Sequence, residues 1–428
     1  MLSIELIRRD PDLVRKSLAD RGEEDPIPQL LELDTQHRQA ITQADQLRSQ
    51  RNDVSRQIGQ ARSSGQAPSE EVVAKMRQVG DRIDALERQT RELDENIREI
   101  LLSLPNIPRA DVPQGVGEEG NLVTRQWGEL RDFEFIPQPH WELGEQLGII
   151  DFQRGVKLSG SRFYVMSGYG AKLERAIIAW MLDLHSGDHG YTEIMLPIIV
   201  KREVMEGSGN LPKFADNLYH DDEDDLWLVP TAEVPITNLY RDEILPAESL
   251  PTYYVAHTPC FRREKAAAGR DTRGIKRVHQ FNKVEMYKFV EPETSDQELD
   301  RLLADGEDVC QKLGLPYRII QICVGDMSFP SAKSFDIEVW AAGCEEWLEV
   351  SSCSNCTDFQ ARRANVRYRP ESGGRPEFVH TLNGSGLALP RVVIAILENY
   401  QQADGSVIIP EVLRPYTGFD LIPAKSKP

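Results

Sequence analysis

Arg262, Arg263, Arg270, Arg273 and Arg277 fall within sixteen positions. A guanidinium keeps its charge at any physiological pH and binds phosphate through paired hydrogen bonds, so such a cluster suits a nucleotide triphosphate. The arrangement is more specific than the count. Phe261-Arg262-Arg263-Glu264 leads through a glycine-containing loop to the strand-like His279 to Glu285, which carries an aromatic ring and a carboxylate. Residues four apart in a regular strand share a face, which puts Phe281 and Glu285 on one side with Lys283. Taken alone, the stretch also reads as a surface hairpin with solvated charges. An isolated Glu285 reads more simply as a salt-bridge partner of Lys283 or Arg277.

The elements around these residues are unequal in clarity. Leu30, Leu33, His37, Ala40, Ala44, Leu47, Arg51, Val54, Ile58 and Ala61 recur at alternating spacings of three and four, as do Met76, Val79, Ile83, Leu86, Thr90, Leu93, Ile97 and Ile100. That spacing lays one stripe along one helix face, and its persistence predicts an antiparallel coiled-coil hairpin of roughly 50 Å. Arg62 to Ser69 supplies the turn, with Ser69 as N-cap of the second helix and Glu70 and Glu71 in its acidic first turn. A further short helix is expected over Pro11–Arg21. Prolines 105, 108 and 113 and glycines 115, 117 and 120 mark a linker.

Beyond Arg125 the pattern becomes strand-like at Tyr253–Ala256, Val284–Val290, Tyr317–Val324 and Phe335–Trp340, and helical at Ala171–His185, Asp296–Leu313 and Pro390–Gln402. Without regular βαβ alternation this order predicts an α+β fold with a largely antiparallel sheet. The acidic run Asp221–Asp225 reads as a solvated tip.

Composition bounds the function. The 428 residues carry 40% hydrophobic and 28% charged side chains, the profile of a soluble globular protein. No run of 18 apolar residues and no hydrophobic leader is present, which predicts a cytoplasmic protein without a membrane partner. Six cysteines do not make a disulfide framework in so long a chain. Cys353 and Cys356, with Cys344 upstream, lack a fourth ligand at convincing spacing, so no structural zinc is expected. A net charge of −19 argues against a nucleic-acid partner for the chain as a whole. Locally the balance reverses: from Gln36 to Arg62, Arg38, Arg48, Arg51, Arg56 and Arg62 face only Asp45 and Asp53, five minus two, or +3. Those arginines suit contacts to a nucleic-acid backbone, or equally a solvated coiled-coil face.

The arginine-rich hairpin resembles motif 2 of the class II aminoacyl-tRNA synthetases, whose fold is an antiparallel sheet flanked by helices. Leu173-Glu174-Arg175-Ala176 through Tyr191 to Pro197 resembles motif 1, which builds the dimer interface in that class. His380-Thr381-Leu382-Asn383-Gly384-Ser385-Gly386 through Arg391 resembles motif 3. With Thr231-Ala232-Glu233, the stretch Glu349 to Asn355, the helical hairpin and the opening Asp10-Pro11-Asp12-Leu13-Val14-Arg15, the resemblance narrows to the seryl-tRNA synthetases and covers nearly the whole chain. It implies a tRNA-binding domain over 1–110, with its arm at about 28–103, and an antiparallel-sheet catalytic domain over 111–428.

The same resemblance implies an ATP-dependent ligase that converts L-serine to seryl-adenylate and passes the seryl group to tRNA(Ser) and tRNA(Sec). The arm, with Arg38, Arg48, Arg51, Arg56 and Arg62, would grip the long variable arm of the tRNA. Motif 1 would form a homodimer. Arg262, Arg391 and Glu349 are the implied catalytic residues, Arg262 holding the serine carboxylate and the α-phosphate. Glu264 and the Val278 backbone would meet the adenine edge. Phe281 would stack on the ring, with Arg391 over its other face and reaching the γ-phosphate beside Arg277. Arg263, Val350 and Ser351 complete the implied ATP set. Glu349 and Ser352 match the Mg²⁺ positions, with Glu338 a lesser candidate. Thr231, Glu233 and Glu285 would surround the serine ammonium, Glu285 with Ser385 would hold its hydroxyl, and Ala232 and Asn383 complete the implied serine set.

Departures from the family exist. The loop Arg263-Glu264-Lys265-Ala266-Ala267-Ala268-Gly269 more often reads Ser-Glu-Ala-Gly-Ser-Ala-Gly. Rival expectations are a paralogue that passes its adenylate to a carrier protein, a coiled-coil dimerisation protein with a decayed enzyme domain, and another class II synthetase. The paralogues typically lack the long arm. Decay sits poorly with intact Arg262, Glu264, Phe281, Glu285, Glu349 and Arg391.

Overall fold

The computed structural model describes residues 1–63, 65, 69–265 and 273–425. Most of the turn after Arg62, and the loop with Ala266 to Gly269 and Arg270, lie outside the described residues. The chain divides into two compact units: Leu2–Ala19 with Glu23–Leu104, and Met1 and Asp20–Gly22 with Pro105–Pro428.

In the first unit the two predicted arm helices run Ile27–Ser63 and Glu70–Ser103. Ala40, Ala44 and Leu86 form part of the buried seam, and Ile83, Leu93 and Ile97 continue it. Small alanines on one helix opposite leucine on the other let the backbones approach closely. Arg48 clips the helices together, reaching Glu87 across the seam at 2.8 Å and Asp45 along its own helix at 2.7 Å. The Ser69 hydroxyl accepts the Val72 amide at 3.3 Å, the expected cap. Besides the expected helix Pro11–Asp20 there is a shorter one, Ile4–Arg9, capped by Ser3, whose hydroxyl accepts the Leu6 amide. Its Arg8 donates to the buried Asp34 at 2.8 Å, and Arg38 joins them at 3.1 Å.

The second unit is built on an eight-stranded sheet in the order Leu122–Trp127, Tyr317–Gln321, Lys333–Ala341, Glu346–Thr357, His380–Ala388, Gln280–Val290, Thr252–Phe261 and Thr192–Glu193. Every neighbour is antiparallel except the last pair, which is parallel. The strand expected over Tyr317–Val324 stops at Gln321. Beyond it the Cys323 amide turns to the Asn121 side chain at 2.8 Å and Val324 to the Pro113 carbonyl, which ends the ladder.

The helices Tyr169–Gly187, Ser295–Lys312 and Leu389–Tyr400 contribute to a single apolar core with this sheet. The strand Gln280–Val290 is buried from Lys283 to its end, as a central strand covered on both faces must be. Its Lys288 is buried and paired with Glu298 at 3.0 Å, so the charge has a partner. Asp221–Asp225 is exposed, as expected of a tip.

Candidate active site

The three central strands and their ends line a cleft of about 670 Å³. Arg262 enters it from the end of Thr252–Phe261, with its guanidinium 5.2 Å from the Phe281 ring centre and its Nε donating to the Pro230 carbonyl at 3.3 Å. Phe281 and Lys283 rise from Gln280–Val290, Asn383 and Ser385 from His380–Ala388, and Arg391 from the first turn of Leu389–Tyr400. Thr231, Glu233, Glu264, Arg277, Val278, Glu349, Val350 and Ser352 complete the expected lining.

A β-bulge brings Glu349 in. Ile337 pairs with Ser351 and Glu338 with Glu349, so Val350 is the extra residue. In an uninterrupted strand Glu349 and Ser352 would face opposite sides; the bulge puts them on the same one. Arg391 Nη1 donates to the Glu349 carbonyl at 2.6 Å and lies 3.3 Å from its carboxylate. Burial pulls the Glu349 carboxyl upward, but Arg391, Arg262 and Arg277 outweigh it and hold the group below the usual carboxylate range. Arg277 lies 3.6 Å from Glu264, whose backbone is left-handed at φ +49°.

At the base of the cleft two carboxylates meet. Thr231 Oγ1 donates to Glu285 at 3.3 Å, and Asn383 Nδ2 lies 3.3 Å from both Glu285 and Glu233. Gln360 donates to Glu233 at 2.6 Å and is itself fixed by Thr381 at 2.7 Å. Lys283 pairs with Glu285. Glu285 thus has a salt-bridge partner, but along its own strand Gln280–Val290 rather than across to a neighbouring one, with Lys283 in the lining and Glu285 beneath it. Glu233 is pushed up to about 7, first by burial and then by Glu285, against Lys283, Gln360 and Arg262. Paired acceptors with a hydroxyl and an amide can hold a small ammonium and its neighbouring hydroxyl.

Four residues expected in the site do not line the cleft, nor does the lesser Mg²⁺ candidate Glu338, whose carboxylate is held by Arg318 at 2.6 Å. Arg263 is instead engaged outside the lining, packing 4.6 Å over Tyr219 with its Nε on the Leu218 carbonyl at 2.8 Å. Ser351 is buried with its hydroxyl on the Ser385 carbonyl at 2.7 Å. Ala232 is fully buried in a second apolar cluster. Glu285 lies just beneath the lining, joined to it by Thr231 and Asn383. Two cations that sequence reasoning did not assign, Lys276 and Lys283, do line it. For Lys283 the signal was there, in its shared parity with Phe281.

The arm arginines belong to the other unit. Arg48 and Arg56 are ion-paired there, Arg56 to Asp53 at 3.6 Å, as is Arg38 to Asp34. Arg51 and Arg62 are exposed and have no acidic partner among the described residues.

An antiparallel sheet with an arginine-lined cleft across its central strands defines a class II synthetase core. The model of the tRNA synthetase class II core domain (G, H, P, S and T) matches residues 214–400, and that of the seryl-tRNA synthetase N-terminal domain matches residues 1–108. The serine–tRNA ligase of Thermomicrobium roseum is 62% identical over 98% of this chain and 94% of its own, and that of Roseiflexus sp. 60% over 98% of each. The crystal structure of Pyrococcus horikoshii seryl-tRNA synthetase complexed with ATP superimposes with a TM-score of 0.94 at 40% identity, covering all of both chains. The chain belongs to the seryl-tRNA synthetase family and is an ATP-dependent serine–tRNA ligase.

Proposed function

We propose that the cleft is where this ligase forms seryl-adenylate, with Arg262, Arg391 and Glu349 as its catalytic residues. The convergence of Arg262, Arg391, Glu349 and the Glu233–Glu285 pair around one cavity carries the reading. Arg262 lies between the two halves of the site and holds the serine carboxylate against the α-phosphate. In-line attack then forms the acyl–phosphate bond and releases pyrophosphate. The reaction needs positioning and charge neutralisation and no side-chain nucleophile. Phe281 and Arg391 sandwich the adenine, Glu264 and Val278 meet its edge, and Arg277 takes the γ-phosphate.

Glu349 and Ser352 fit a Mg²⁺ ion. Both are hard oxygen donors on one face, and the half-buried Asp336, whose buried Oδ1 has no hydrogen-bond partner, lies against Ser352. When bound, the ion neutralises triphosphate charge. Thr231, Glu233, Glu285, Asn383 and Ser385 hold serine, and a pocket built to pair a hydroxyl rejects alanine because its polar groups would be left unsatisfied.

Residues 1–110 form the tRNA-binding domain and 111–428 the catalytic domain, with the seryl group passed to tRNA(Ser) and tRNA(Sec). The exposed arginines support arm contacts to the phosphate backbone of a long variable arm, contacts that fix position without reading bases. The edge strand Thr192–Glu193 and the 97%-exposed Met195 beside it support a homodimer through motif 1. No helix of the described residues is long and apolar enough to cross a membrane, which fits our assignment of the chain to the cytoplasm.

Amino-acid-dependent ATP–pyrophosphate exchange measured with serine, threonine, alanine and cysteine tests the reading. Serine alone should support rapid exchange, and exchange led by any other amino acid refutes it. Charging of tRNA(Sec) transcripts tests that partner separately.

The pH dependence provides a second test. Glu233 titrates near 7, and only its ionised form attracts the serine ammonium. Because its pKa is raised, the attraction is complete above about pH 8 and fades as pH falls through 7. We expect kcat/KM for serine to fall by about tenfold per unit below pH 7, and Glu233→Gln to flatten that limb. A wild-type profile unchanged between pH 6 and 8 rules out this role for Glu233.

A further inference from the structure

Glu398, fully buried near the end of Leu389–Tyr400, lies outside the lining of the cleft. Its Oε1 accepts the His140 backbone amide at 2.9 Å, lies 2.8 Å from His140 Nδ1, and accepts the Cys344 thiol at 3.0 Å. Its Oε2 accepts the backbone amides of Gly343 and Cys344, each at 2.9 Å. The other imidazole nitrogen, Nε2, faces the Ile275 amide at 3.1 Å.

The donors and acceptors fix the proton. A backbone N–H can only donate and an ionised carboxylate can only accept, so His140 must be the neutral tautomer with its proton on Nδ1. Burial holds the ring below its ordinary range against the pull of Glu398. The Cys344 thiol, pushed up to about 12 by burial and then by Glu398, stays protonated and donates. His140, Cys344 and Glu398 place three possible metal-ligand atoms within 4.8 Å, but both available protons are already directed at the carboxylate, which is satisfied without an ion. Gly274, at φ +74°, is required here: a Cβ on it would lie 2.0 Å from His140 Nε2.

This buried unit fastens three segments of the cleft. Ile275 is followed by Lys276, Arg277 and Val278 in the lining. Gly343 and Cys344 lead into the strand of Glu349 through Glu346, which pairs with Lys276. Glu398 shares a helix with Arg391, whose Nε reaches back to the Lys276 carbonyl at 3.5 Å.

We propose that His140 and Glu398 are positioning residues for ATP, holding the return segment of the motif 2 hairpin at its distance from Glu349 and Arg391. The inference rests on the assignment of ATP to this cleft. Neither residue touches substrate; each acts through Ile275–Val278.

Two measurements test it. In the wild-type protein, ¹⁵N-histidine spectra should place the His140 ring, identified by its absence from H140Q, in the Nδ1–H neutral form from pH 5.5 to 8. An imidazolium, an Nε2–H tautomer, or a stoichiometric metal on the purified chain overturns the proposal. In ATP–pyrophosphate exchange, H140F should raise the KM for ATP about tenfold and leave that for serine within about twofold, because one hydrogen bond to the ATP-binding segment is lost. H140Q, which can still accept from Ile275, should recover most of it. Equal rises in both KM values, or none, refute a positioning role. The spectra require no folded H140F and decide the case if that variant fails to fold. Absence of serine-dependent exchange in the wild type would instead refute the assignment of the cleft.

Discussion

Arg262→Ala is expected to lower serine-dependent ATP–pyrophosphate exchange by about three orders of magnitude while leaving the protein folded. Losing one neutral donor at a site of developing charge typically costs about 10²–10³ in rate, and a guanidinium placed to bridge carboxylate and α-phosphate contributes more. The fold should tolerate the change. Among the described contacts Arg262 is held by the Pro230 carbonyl at 3.3 Å and by the face of Phe281, both at the cleft surface. Arg262→Lys should recover little, because an ammonium cannot span both groups in the plane a guanidinium provides. Exchange within tenfold of wild type in the alanine variant, at an unchanged melting temperature, would falsify the role given to Arg262.

Removal of Gln36–Arg98 is expected to abolish tRNA charging, by about 10³ or more, with serine-dependent exchange within about threefold of wild type. The structure motivates the split: the arm helices belong to one compact unit and every residue lining the cleft to the other. The contacts at the foot of the hairpin, from Arg8 to Asp34 and the burial of Leu30 and Leu101, survive the cut. If Arg51 and Arg62 contact the tRNA backbone as we propose, charging by the intact chain should weaken as salt rises, because such contacts release counterions. If charging survives the deletion, the arm does not hold the tRNA.

The arm was the most legible part of the sequence because its signal is periodic and local: a stripe such as Leu86, Leu93 and Ile97 has one geometric meaning over several turns. Strands were found where β-branched and aromatic residues cluster, and misjudged where a side chain from elsewhere ended the ladder, as Asn121 does at Cys323. The site was legible through its motifs, which bring Arg262, Phe281, Glu349 and Arg391 together as expected. What the sequence concealed was parity. The bulge at Val350 depends on pairing with a strand some residues away, so nothing local told Ser352, which lines the cleft, from Ser351, which does not. Arg263 was drawn in by its chemistry, but its guanidinium is taken up by Tyr219 and the Leu218 carbonyl, partners that nothing in the local sequence marks. Lys276 had no distinguishing signal within a stretch already rich in cations.

The strand Gln280–Val290 has one neighbour close by in the chain, Thr252–Phe261, and the other, His380–Ala388, nearly a hundred residues downstream. On the ribosome the local hairpin can zip up early, but its inner edge, buried in the finished protein, must wait for one of the last strands to be synthesised. During that delay the unpaired edge is open to pairing with other nascent chains, as is the edge of Glu346–Thr357, which waits for the same strand. Nucleotide offers no protection in this period, because Arg391 arrives later still. ATP stabilises only molecules that have already completed the sheet.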